Sequence, residues 1–131
     1  METLSAATSD FALDTSIMAL HTENKSWLEE IDFYKDELIF FQHLINAKKL
    51  KHHGTKRVQT LLTHLVSMNK FLVQDLDKEV TKHQKELNKL IDENKSDDQR
   101  HRDRHRVIAE KVRNFTRDYF GLKRKLFDLE K

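Results

Sequence analysis

From His101 to Leu129 the residues His101, His105, Ile108, Val112, Phe115, Tyr119, Leu122, Leu126 and Leu129 follow one another at alternating steps of four and three. That spacing is a heptad seam, which keeps one stripe of an α-helix turned toward a neighbouring helix along its whole length. A strand cannot use it, because a strand changes face at every residue. Two further segments carry the same signature. Leu20, Asn24, Trp27, Ile31, Tyr34, Leu38, Phe41 and Ile45 form one seam. Val58, Leu62, Leu65, Asn69, Leu72, Leu76, Val80, His83, Leu87 and Leu90 form the other, with one extra step of four between Leu76 and Val80. The extra step brings the spacing nearer to that of a straight helix.

Breakers are almost missing: among 131 residues there is no proline and there are two glycines. Gly54 suits the left-handed end of a first helix, where Lys48, Lys49 and Lys51 complement the helix dipole, and Thr55 behind it can cap a second. Ser96 with Gln99 reads as a capping box that opens the third helix, supported by Asp97 and Asp98. A second capping box, Ser26 with Glu29, would leave much of the middle helix uncovered, whereas Leu13 and Ile17 extend the first seam backward in register. The expected fold is therefore all-α: an up-down-up three-helix antiparallel bundle with long, coiled-coil-like helices at about 14–52, 55–94 and 97–130. Residues 13–131 would form one domain, and residues 1–12 a flexible N-terminal segment. Asn69 on the middle seam is the candidate for a buried polar residue that fixes helix register.

Composition removes many function classes. With no cysteine there is neither a disulfide nor a thiolate metal site nor a cysteine nucleophile, and a reducing cytoplasm is the expected location. Met1 to Ala19 carry no lysine or arginine and no long apolar run, so no signal peptide is expected, and no segment approaches the apolar length of a membrane span. Gly-x-x-x-x-Gly-Lys, Gly-x-Ser-x-Gly and His-Glu-x-x-His are absent, and no enzymatic activity is expected.

Three candidate sites survive. Folding the chain back at His53 and Lys95 sets a first-helix residue level with the third-helix residue about 87 positions later. Phe33 then meets Phe120, and Phe40 meets Phe127, one heptad apart and off the main seams. Such rings either widen the core or, with Ile39 and Leu44, line an apolar groove for a protein partner or a second copy of the chain. The same level-matching gathers His21, His83 and His105 at one end near His101, Glu79 and Glu86. His101 and His105, four apart on one face, have the spacing of a metal-binding pair, with zinc or iron as candidate ions. No Glu-x-x-His pair accompanies them, so the expected cofactor set is none and a metal-binding bundle is an alternative. Third, Arg100 to Lys131 holds eleven basic residues against five acidic ones within a chain of net charge +2. Arg100, Arg102, Arg104 and Arg106 could attract nucleic acid or an anionic surface. Asp103, Glu110 and Asp118 weaken that field, and no recognition motif accompanies it.

The stretch Trp27-Leu28-Glu29-Glu30-Ile31-Asp32-Phe33-Tyr34-Lys35-Asp36-Glu37, with His21 before it and the His/Asp/Arg-rich opening of the third helix, resembles a family of small uncharacterised bacterial helical-bundle proteins. The likeness covers most of the chain in pattern, with Phe33 to Glu37 its specific part. It implies a bacterial cytoplasmic bundle and no particular mechanism. The sequence thus leads to a non-catalytic, self-associating interaction or scaffold module.

Overall fold

The computed structural model describes residues 9–47, 56–95 and 99–130, with side chains from Ile17 to Leu129 within them, and among these residues there is no strand. Helix α1 spans Ser9–Asn46, α2 Lys56–Phe71, α3 Asp77–Asp92 and α4 Gln99–Glu130. A π-helical turn, Leu72–Leu76, joins α2 to α3 without a break, so the two make one middle rod. The first helix starts earlier than expected: residues 9–12, assigned above to a flexible segment, are its opening turn. Gly54, Thr55, Lys48, Lys49, Lys51, Ser96, Asp97 and Asp98 lie outside the described residues, so the caps expected there are not part of the description.

The end of α3 is built by local chemistry. Asn94 takes φ 55°, the left-handed region in which asparagine is tolerated better than most side chains. Its N–H donates to Ile91 O at 3.0 Å, and that of Lys95 to Leu90 O at 2.9 Å. This is a Schellman motif with asparagine in the usual glycine position, and it satisfies carbonyls that the helix end would orphan.

Each rod turns its seam inward. On α1, Ile17, Asn24, Trp27, Ile31, Tyr34, Leu38, Phe41 and Ile45 are buried. On α4 the same is true of His105, Ile108, Val112, Phe115, Tyr119, Leu122, Leu126 and Leu129, while His101 is half-buried. The middle rod departs from expectation. Leu61 and Met68 are buried where Leu62 and Asn69 were expected, and those two are half-buried. The reason is geometric: the middle rod packs against both α1 and α4, so its apolar stripe must be wider than one seam, and Leu62 still packs against the core from its edge. The buried positions run Val58, Leu61, Leu65, Met68, Leu72, Leu76, Val80, His83 and Leu87, with consecutive steps of four from Met68 to Val80. The π-turn sits inside that stretch and, having more residues per turn than an α-helix, returns the stripe to the core side.

Cross-contacts give the pairing of the rods. His21, Asn24 and Lys35 of α1 bond to Asn88, to Gln84 and Val80, and to Asp77, so the numbers on the middle rod fall as those on α1 rise. His105 and Lys111 of α4 reach His83 and Glu79 in the same descending order. Glu23, Tyr34 and Glu37 of α1 meet His105, Thr116 and Lys123 of α4, separations of 82, 82 and 86 positions, close to the expected 87.

Candidate functional site

The exposed surface of α1 and α4 carries the first candidate site. Its reference point is an ion pair between the rods, Lys123 Nζ to Glu37 Oε1 at 3.4 Å, both side chains about one quarter exposed. On a helix, residues three and four positions apart are surface neighbours. Phe33 and Phe40 flank Glu37 at four before and three after, and Phe120 and Phe127 flank Lys123 at three before and four after. The four rings therefore frame one ion pair. They are 53%, 60%, 53% and 54% exposed, so they do not widen the core; they stand out from it. Heptad geometry explains why: they lie one position outside the residues that line the α1–α4 contact, next to a stripe already filled by Tyr34, Phe41, Tyr119 and Leu126. Ile39 is exposed but, two positions from Glu37 and one from Phe40, points away from the rings, and Leu44, expected in the same groove, is half-buried and packs against the core. A side chain aimed toward α4 this close to Ile45 is absorbed by the interior.

Beneath the patch the interface holds two polar contacts. Tyr34 Oη lies 3.2 Å from Thr116 Oγ1 and donates to Glu30 Oε1 at 3.5 Å; burial raises the phenol above its ordinary value near 10. Lys123 Nζ stands 5.7 Å above the Tyr119 ring, so the same ammonium serves Glu37 and a ring face.

The second candidate lies in the core between α1, α3 and α4. His83 and His105 are 0% and 6% exposed, with His83 Nε2 3.0 Å from His105 Nδ1. His105 Nε2 is 2.8 Å from Glu23 Oε1, and the indole of Trp27 stacks on the His105 ring at 4.6 Å between centroids. Asn24 is fully buried; its Nδ2 donates to Val80 O at 3.1 Å and to Gln84 Oε1 at 2.7 Å. Asn24, rather than Asn69, is thus the fully buried asparagine of the described core, and Asn69 is half-buried. Burial is the largest cause, and His105, Arg104 and His101 the lesser ones, that lower the His83 pKa to about 4.

His83 and His105 spend facing nitrogens on each other, and the second nitrogen of His105 belongs to Glu23. His21 sits apart, its Nε2 2.8 Å from Asn88 Oδ1 and 2.9 Å from Gln84 Nε2. Among the described residues no group of three or more histidine, cysteine, aspartate or glutamate side chains is disposed to hold a metal ion, so His21, His83, His101 and His105 are not brought together as the ligand set considered for zinc or iron.

The basic run also loses its character in three dimensions. Arg106 pairs with Asp103 at 3.1 Å, and Arg100 and Arg102 are engaged with neighbours. Arg100, His101 and Arg104 line a cleft against α3 that holds Glu86 and Glu93 as well as Lys89 and Lys95. Opposite charges are interleaved throughout, which is how a solvated helix face is built.

Sequence reasoning missed Glu23, Glu37 and Lys123. Each sits beside a seam on the side facing another rod, and that flank position was the available signal. Among the described residues no helix is long and apolar enough to cross a membrane. Comparison with protein-family models, with curated proteins and with solved structures finds no match to this chain, and its function is therefore read from its own geometry.

Proposed function

We propose that the chain is a non-catalytic interaction or scaffold module, an up-down-up antiparallel bundle whose α1–α4 face pairs with a second copy of itself. The descending and ascending cross-contacts between the rods support the bundle arrangement. One observation carries the pairing: Phe33, Phe40, Phe120 and Phe127, each more than half exposed, frame the Glu37–Lys123 ion pair. Four phenylalanines with half their surface in water present about 400 Å² of apolar area, given 150–250 Å² per ring. That is as large as the biggest patches on ordinary monomers, which are often functional. With a polar rim it approaches the ~800 Å² per partner of a standard interface.

A second copy fits this patch better than an unrelated helix because the patch is self-complementary. A twofold axis through the central ion pair brings Glu37 of one copy toward Lys123 of its partner and lets the two ring rows interleave. Rings and pair then share one isologous surface. Size-exclusion chromatography with light scattering tests this. The expected result is a dimer that Phe40→Glu with Phe127→Glu converts to a monomer while helical circular dichroism is unchanged. A monomer at millimolar concentration, or a dimer indifferent to both substitutions, refutes the reading.

A further inference from the structure

The buried polar layer at the other end of the bundle obeys a proton arithmetic that its distances impose. Glu23, being a carboxylate, accepts, so His105 carries a proton on Nε2 and donates it. With both rings neutral, His105 Nδ1 is then bare and accepts from His83 Nε2–H across 3.0 Å. His83 Nδ1 is left as a bare nitrogen, and it is a buried atom without a partner. A first added proton has one comfortable place. It sits on His105 Nδ1, forming an imidazolium between the Glu23 carboxylate and His83; His83 Nε2 turns from donor to acceptor, and the proton of His83 moves to Nδ1. A second added proton would put two N–H groups face to face at 3.0 Å and two cations in a water-poor core, which destroys the bond between the rings.

We propose that Glu23, His105 and His83 form a one-proton relay through the bundle core: His105 takes a single proton by switching the tautomer of His83, and a second proton opens this end of the bundle. Every element packed there contributes to the balance. From α1 come Glu23 and His21, from α3 Glu79, which is bonded to Lys111, and Glu86, and from α4 His101 and Arg104. Glu23 favours the first proton; Arg104 and His101 oppose the second. Asn24 bonds to the same stretch of α3 that carries His83. Its Oδ1 is buried and unpartnered. The two orphaned atoms of the neutral layer are thus one acceptor and one site that becomes a donor.

Trp27 provides a built-in probe. It is the only tryptophan in the chain and stacks on His105, and an imidazolium against an indole quenches its emission. Imidazole ¹⁵N spectra and Trp27 fluorescence of the full chain, recorded from about pH 8 to pH 4.5, test the relay. The expected result is a single-proton quench of Trp27, with His83 exchanging Nε2–H for Nδ1–H at the same midpoint and staying uncharged. Below that midpoint, amide protection in α3 and the facing turns of α4, corrected for intrinsic exchange, should fall about tenfold per pH unit, the signature of one extra proton in the open form. Glu23→Gln should move the midpoint of the Trp27 quench to lower pH. A Trp27 signal flat across this range, a His83 that keeps Nε2–H throughout, two rings that both become charged with their mutual bond intact, or a midpoint unmoved by Glu23→Gln would each overturn the proposal.

Discussion

Acidification from pH 7 to 4.5 should remove about 2–3 kcal/mol of folding stability through His83 alone. The ordinary histidine value is 6.5, and burial, with lesser contributions from His105, Arg104 and His101, holds His83 near 4 in the folded chain. A histidine with a lowered pKa favours the native state above its unfolded value, and that contribution drains away as pH falls toward the folded one, because the unfolded chain binds the proton first. At 1.36 kcal/mol per pH unit, the interval from 6.5 to 4.5 removes about 2.5 kcal/mol, a large share of a typical 5–15 kcal/mol. Urea titrations at the two pH values should place the midpoint about 1–2 M lower in acid, for a slope of about 2 kcal/mol per M. His83→Leu cannot take a charge, and its loss between the same pH values should be smaller by about 2 kcal/mol. Parallel losses in the wild type and the variant would refute the assignment and place the acid sensitivity elsewhere.

Other outcomes follow from particular contacts. Glu37→Lys should weaken the dimer by placing two ammonium groups at the centre of the ring patch, and adding Lys123→Glu should restore it in sedimentation equilibrium; on the monomer the partly exposed pair is worth no more than ~1 kcal/mol. Leu65, fully buried on the middle rod, should cost about 2–5 kcal/mol when cut to alanine, read by thermal unfolding. At Asn94, with φ 55°, glycine should stabilise by a few tenths to about 1 kcal/mol, whereas valine should destabilise by at least as much.

The first and last seams were legible because each of those rods shows one stripe to the interior: all but Leu20 and His101 among the seam residues with described side chains are buried. The middle rod was less legible. Leu61 and Leu62 are both apolar, as are Leu65 and Val66, and a heptad count cannot tell which neighbour of a pair lies deeper when two flanks are covered. The exposure of the four rings was open from sequence, since a ring just outside a seam is equally consistent with a broad core. The histidine grouping was half legible. His83 and His105 were expected together, but their mutual bond depends on side-chain directions that spacing does not carry, and Glu23 enters only once α1 and α4 are registered to each other.

The π-turn has a consequence for how this chain tolerates change in length. Deleting Gln74, an exposed position within Leu72–Leu76, would turn the buried series of the middle rod into an unbroken alternation of threes and fours from Val58 to Leu87. The rod is therefore one residue over-long for its scaffold, and the bulge stores that surplus without twisting α3 out of phase. Shortening at this point should leave the aim of His83 and Val80 intact, whereas adding a residue anywhere in α2 should swing them by about 100°, one residue's share of a turn.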